Sequence, residues 1–134
     1  MKLVNRLVLG TAQFNNEAYG IGNKSILKND LIFKILNYAW NKGIKNFDTA
    51  EGYNCNKTLK KFIEKKKIQR KINVISKISK LKKDNFGKQI KNFLKTVYSE
   101  LPIKKLSCLL FHDQRDLNTL IKNKKKFLMI LKEY

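Results

Sequence analysis

The stretch Asn46-Phe47-Asp48-Thr49-Ala50-Glu51-Gly52-Tyr53 ends an apolar run with three reactive side chains, Asp48, Glu51 and Tyr53. Further along, Lys77 sits at the carboxyl end of the run Ile72 to Ile78, and the chain's only histidine, His112, ends the run Leu106 to His112. A tyrosine, with an ordinary pKa near ~10, is a poor acid at neutral pH unless something favours its phenolate. A neighbouring lysine ammonium does so, and an aspartate holds that lysine charged and in place. A histidine can donate a hydrogen bond to a carbonyl oxygen. Such a set polarises a carbonyl and then protonates it, which hydride reduction of an aldehyde or ketone requires. Taken singly, each residue has an ordinary explanation: a strand-end histidine at a boundary, one lysine among many, a tyrosine capping a core, an aspartate capping a turn. Only their convergence would carry the chemistry.

The elements that must position them follow from periodicity. Arg6 to Ala12 reads as a short buried strand breaking at Gly10. The loop Gln13 to Lys28, with Gly20, Gly22, Tyr19 and Ile21, is long for a connection between a strand and a helix. The helical pattern runs from Asn29 to Lys42: from Asn29 or Asp30 as cap, Ile32, Leu36, Ala39 and Trp40 fall on one face, and Gly43 is a left-handed stop. Ile44 to Phe47 is the second strand. Asn56 to Lys66 is an amphipathic helix through Leu59, Phe62 and Ile63. Ile72 to Ile78 is the third strand and Asp84 to Leu101 the third helix, burying Ile90, Phe93, Leu94, Val97 and Tyr98. Leu106 to His112 is the fourth strand, and Asp116 to Leu131 a last amphipathic helix. Strands alternating with helices predict a parallel α/β sheet, whose ligands bind beyond the carboxyl ends of the strands. Gly10-Thr11, Asp48 with Tyr53, Lys77 and His112 would then meet on one rim.

Composition narrows the partners. At 134 residues the chain is expected to form one domain, residues 1–134, with a substantial core. No apolar run approaches the roughly 20 residues of a membrane span, and Met1 to Arg6 does not open like a signal peptide, so a cytoplasmic location is expected. Cys55 and Cys108 lack metal-ligand spacing, so no metal is expected. The net charge of +20 raises nucleic acid as a partner. The basic residues are almost all lysine, however, with arginine only at Arg6, Arg70 and Arg115, whereas bidentate phosphate and base recognition favours arginine. The lysines therefore read as a solvated face, and nucleic acid is not an expected partner.

The motifs resemble those of the aldo-keto reductases. Asn46 to Tyr53, Ser76-Lys77 and Leu110-Phe111-His112 fit that family's Asp-Tyr-Lys-His tetrad on the first half of a (β/α)8 TIM barrel. Leu9-Gly10-Thr11-Ala12-Gln13-Phe14 and Tyr19-Gly20-Ile21-Gly22-Asn23 look like bacterial members encoded among surface-polysaccharide genes. The resemblance implies that Tyr53 is the general acid, Lys77 lowers its pKa, Asp48 pairs with Lys77 and His112 orients the carbonyl. It also implies that Gly10, Thr11 and Asp48 approach the nicotinamide ribose of NADPH, or of NADH, and that the substrate is a small carbonyl compound, with sugar-derived ones as candidates. One local departure is Asn54-Cys55-Asn56, where the family often has glycine followed by serine and glutamate.

The larger departure is length, since a complete barrel takes about 250 residues. The expected fold is thus the N-terminal half of a TIM barrel, a truncated reductase domain lacking most of the cofactor pocket. It would be inactive alone, and either self-associating or paired with the missing half. The alternative is a non-catalytic half-barrel serving as a binding or assembly module. Either way the four strands should lie parallel in chain order with open edges, leaving inward residues such as Val8, Phe47, Ile75 and Leu110 poorly covered.

Overall fold

Strand and helix alternate along the chain in the computed structural model, which describes residues 3–15 and 27–134. The strands are β1 (Val8–Gly10), β2 (Asn46–Asp48), β3 (Asn73–Ile78) and β4 (Leu106–Phe111). The helices are α1 (Asn29–Asn41), α2 (Asn56–Lys66), α3 (Phe86–Glu100), α4 (Asp116–Lys122) and α5 (Lys124–Leu131). All strand pairs are parallel, in the order β1-β2-β3-β4, with Leu9 beside Phe47 and Phe47 beside Val74. β1 and β4 are the edges. The motif Tyr19 to Asn23, and most of the loop after Gln13, lie outside the described residues.

The sheet's two faces differ because side chains alternate along each strand. One face packs on the helices and contains Phe47, Val74 and Ile78, all buried. Phe47 meets Trp40 of α1 and Phe62 of α2 at ring-centroid distances of 6.4 and 6.1 Å. Ile32, Leu36, Leu59, Phe62, Ile63 and Ile90 complete this layer. The expectation that Phe47 would be a poorly covered inward residue is therefore corrected: it is fully buried. The cause is the two-residue period, which sends Phe47 to the helix side once its neighbour Asp48 takes the other. Val8 and Leu110 remain largely exposed and Ile75 half-buried, as an uncovered inner face requires.

The inner face is polar near the amino ends of the strands. Ser107 Oγ donates to Asn73 Oδ1 (3.4 Å), Asn73 Nδ2 to Asn46 Oδ1 (2.9 Å), and Asn46 Nδ2 to the Leu7 carbonyl (3.1 Å). This ladder runs from β4 across β3 and β2 to Leu7, the residue before β1. A β-bulge accompanies it: Val74 pairs with Leu106 but Ile75 with Cys108, leaving Ser107 as an extra residue in β4.

Local details explain the boundaries. α1 begins after Lys28 without a side-chain cap, and Asn29 Oδ1 instead accepts from Thr58 Oγ1 (3.3 Å). Gly43 has φ +93°, a left-handed conformation that releases the chain into β2. The last amphipathic stretch is two helices, because the chain departs from helical geometry at Asn123, whose side chain donates back to the Thr119 carbonyl.

Exposed large hydrophobic residues are unevenly placed. Leu7, Val8, Leu31 and Tyr38 belong to β1, its approach and α1; Leu110, Leu117, Ile121, Leu128, Met129, Leu131 and Tyr134 belong to β4, α4, α5 and the residues after them. Among the described residues, β2, α2, β3 and α3 carry none.

Candidate active site at the carboxyl rim of the sheet

Asp48 is the last residue of β2 and Lys77 the last but one of β3, and both alternate onto the inner face. Lys77 Nζ donates to both carboxylate oxygens of Asp48, and both side chains are partly shielded from solvent. A short 3-10 turn, Glu51–Tyr53, then carries Tyr53 back over the pair. Tyr53 is 4% exposed, and its ring centroid lies 5.2 Å from Lys77 Nζ. His112, just beyond β4, sets its ring perpendicular to that of Tyr53 at 5.9 Å between centroids. Its backbone N–H donates to the Ile78 carbonyl (2.8 Å), which ties the strand end to β3. Asp48, Tyr53, Lys77 and His112 thus form one contiguous cluster, drawn from three strand ends. Glu51, the third reactive residue of the organising stretch, is exposed on the opposite side, beside Asn54, Lys57 and Glu100.

A cavity of about 350 Å³ opens next to the cluster, lined by Gly10, Ala12, Gln13, Phe14, Leu27, Ile35, Asp48 and Tyr53. It lies at the small end of the range for ligand sites, roughly 300–1,000 Å³. A Cβ added at Gly10 would meet nothing within 4 Å, so the space above the end of β1 is open. The cavity's walls are mostly apolar and include the Asp48 carboxylate and the Tyr53 phenol ring.

Thr11 directly follows β1. It is fully buried and absent from the cavity lining. Its backbone N–H and Oγ1 both donate to the Asp48 carbonyl oxygen, at 3.0 and 2.9 Å. Thr11, just after β1, thereby fixes the backbone of Asp48.

Behind the cluster runs a buried polar network that the sequence did not reveal. Cys55 Sγ lies 2.9 Å from Thr11 Oγ1 and 3.2 Å from Thr49 Oγ1. Thr49 Oγ1 donates to Asn56 Oδ1 (3.0 Å), and Asn56 Nδ2 donates to Glu100 Oε2 (2.7 Å). Both threonine protons are spent on these oxygens, so the Cys55 thiol is left as the donor to a threonine oxygen. The network joins β1, β2, α2 and α3 around the loop bearing Tyr53. Its one signal in the sequence was the departure at Asn54-Cys55-Asn56. Asn54 has φ +53°, a left-handed conformation that asparagine tolerates better than other residues with a Cβ. Asparagine therefore takes over a turn position that glycine often fills.

The turn after His112 is held separately. Asp113 accepts from the side chain and backbone N–H of Arg115, and these bonds pull its carboxyl down to a pKa of about 2. Among the described residues no cluster of three or more potential metal ligands occurs, and no helix is long and apolar enough to cross a membrane.

The family model described as the aldo/keto reductase family matches residues 6–129. The chain belongs to that family. Among solved structures it is similar to a Pseudomonas aeruginosa protein described as an aldo-keto reductase, at 18% identity and a TM-score of 0.64, covering 90% of this chain and 51% of that one. It is also similar to the thermostable aldo-keto reductase Tm1743, solved with the inhibitor epalrestat (18% identity, TM-score 0.57, covering 90% of this chain and 46% of that one). A third likeness is to a structure described as a 2,5-diketo-D-gluconic acid reductase B (17%, TM-score 0.56, 88% and 40%). No curated protein matches by sequence search. The aldo/keto reductase fold thus accounts for the four parallel βα units, and the chain spans about half the length of the structures it resembles.

Proposed function

We propose that this chain carries the proton-transfer half of an NAD(P)H-dependent carbonyl reductase. The observation supporting this reading most directly is the cluster itself: a lysine paired with an aspartate beside a buried tyrosine ring, with a histidine ring at right angles to it. A nicotinamide cofactor, when bound, would supply hydride to the carbonyl carbon. The chain's own residues would do the rest. Tyr53 Oη gives its proton to the carbonyl oxygen, leaving an alcohol and a phenolate that regains a proton from solvent. The Lys77 ammonium beside the ring favours that phenolate electrostatically, Asp48 holds Lys77 in place, and a His112 ring N–H donates to the same carbonyl oxygen. Gly10, Phe14 and Ile35 would flank the nicotinamide ring and its ribose in the cavity above β1. NADPH is the cofactor we favour, with NADH as the alternative. Small sugar-derived carbonyl compounds are the substrate class, in keeping with the keto-sugar acid that names one structural neighbour.

Positioning of the two reactants supplies a large part of such a rate, and on this reading a cavity of about 350 Å³ would receive only the nicotinamide end of the cofactor. The 134 residues alone should therefore bind NADPH weakly and turn over negligibly. Joined to a second half from a family member, they should oxidise NADPH with aldehydes or sugar ketones. In that joined protein Tyr53→Phe should lower kcat at least a hundredfold and leave cofactor affinity within about twofold. Undiminished turnover in Tyr53→Phe would refute the assigned acid. Robust turnover by the 134 residues would refute the incapacity of the half.

A further inference from the structure

The turn carrying Tyr53 is tied to the backbone of Asp48 through three buried side chains that the proton transfer itself does not use. Thr11 and Thr49 are fully buried and Cys55 is 1% exposed, so bulk water does not compete for their hydrogen bonds. A buried cysteine is ordinarily a small apolar filler. Here its Sγ faces two hydroxyl oxygens, at 2.9 and 3.2 Å. The protons of those hydroxyls point elsewhere, that of Thr11 to the Asp48 carbonyl and that of Thr49 to Asn56. The thiol therefore has one proton and two acceptors, Thr11 beyond β1 and Thr49 beyond β2.

Other tethers of the turn do not reach Asp48. The Tyr53 N–H donates to the Ala50 carbonyl (3.1 Å), and the Asn54 carbonyl accepts from Asn15 Nδ2 in an exposed contact (3.1 Å). The sulfur contact does reach it: the Thr11 hydroxyl that faces the thiol donates onward to the Asp48 carbonyl oxygen. Hydrogen bonds in series polarise one another, the more so away from water. From this arrangement we propose that Thr11, Cys55 and Thr49 act as one positioning unit, in which the Cys55 thiol holds the Tyr53 turn in register with the backbone of Asp48. Because the Asp48 carboxylate in turn holds Lys77, the unit sets the approach of ammonium to phenol from behind. Cys55 lines no part of the cavity at the rim and acts through Asp48 and Tyr53. What is positioned rests on the catalytic reading, whereas the geometry belongs to the chain with or without turnover.

His112 supplies the reporter. It is the chain's only histidine, and its ring stands perpendicular to that of Tyr53 at 5.9 Å, so the NMR signals of its carbon-bound ring protons sense where the Tyr53 ring sits. The 134-residue chain is compared with Tyr53→Leu, which removes the aromatic ring, and with Cys55→Ser, Cys55→Val and Cys55→Ala. All are measured at one pH well above the histidine range. Serine keeps a donor and gives up apolar bulk; valine keeps the bulk and gives up the donor. In Cys55→Val and Cys55→Ala the His112 signals should move part-way toward those of Tyr53→Leu, and in Cys55→Ser they should stay with the unaltered chain. Circular dichroism checks that each variant keeps its helices, and a loss of stability alone leaves the native signals in place. Joined to a second half from a family member, Cys55→Val should lower kcat roughly tenfold with KM within about twofold, and Cys55→Ser should recover most of the loss. Unmoved signals in Cys55→Val and Cys55→Ala, equal displacement in Cys55→Ser, or an unchanged kcat in Cys55→Val would each overturn the proposal. Undiminished turnover in Tyr53→Phe would instead overturn the assigned acid and leave the His112 comparison standing.

Discussion

At the scale of single residues, the rim depends on conformations that only certain side chains support. Asn54 holds the left-handed turn immediately after Tyr53. Asn54→Val should cost about 1–2 kcal/mol, whereas Asn54→Gly should be nearly neutral; urea denaturation of the two variants measures the difference. Asp113 gives a pH signature beside His112. Its native pKa of about 2 lies below the ordinary 3.8, so the contact with Arg115 is fully present above pH 4 and is lost as pH falls through about 2. An NMR titration of the Asp113 carboxyl should show that midpoint, and Arg115→Ala should move it back toward 3.8. The convergence of Asp48, Tyr53, Lys77 and His112 was legible in the sequence because each sits near the end of an apolar run, and parallel strands bring those ends to one rim. The network of Thr11, Thr49, Cys55 and Asn56 was not legible. Short polar side chains carry no periodic signal, and their partners depend on loop geometry that only the folded backbone supplies.

At the scale of elements, the helices were the most readable parts. Ile32, Leu36 and Ala39 on α1, and Leu59, Phe62 and Ile63 on α2, are buried as their spacing requires. The strands were readable in place but not in phase. The run Ile44 to Phe47 does not say which of its neighbours turns inward, and Phe47 was misassigned for that reason. The last helix was read as continuous because the apolar period survives the break at Asn123. α4 is tied down by its first residue: Asp116 is buried, and its Oδ1 accepts from the Leu81 N–H (2.8 Å), bridging to the loop after β3. Asp116→Ala would strand that buried N–H and should cost about 1–3 kcal/mol. In thermal unfolding its Tm should fall by several degrees, while the solvent-facing Lys122→Ala should change little.

For the whole molecule, stability should be graded from the middle of the sheet outward. β2, α2, β3 and α3 have helices packed on one side and strands on both edges, whereas β1 and the α4–α5 pair each lack a neighbour. Hydrogen exchange at low protein concentration should therefore find the slowest amides in β2, α2, β3 and α3. α4 and α5 should open first, and equal protection throughout would contradict this gradient. The alternation of four strands with helices made the class of fold and its parallel sense legible from sequence. Which ends would be left uncovered required the register. The lysine surplus said nothing about fold, since those residues lie mostly on exposed helix faces and in the intervening turns.

The extra residue at Ser107 bears on how such a chain could be edited. On its amino side Leu106 pairs with Val74 on the helix face; on its carboxyl side Cys108 and Leu110 alternate inward, with His112 following. Odd and even positions exchange faces at that one point. Replacing Ser107 by another small polar residue preserves the count, so the strand keeps both halves in phase. Deleting it does not, because the shortened strand must give up either Leu106 in the core or His112 at the rim. A reading-frame-preserving deletion of one codon here would thus act at a distance on the rim that carries the Asp48, Tyr53, Lys77 and His112 cluster, while the same deletion among the exposed residues Lys82 to Asp84 would fall in a turn that can absorb it.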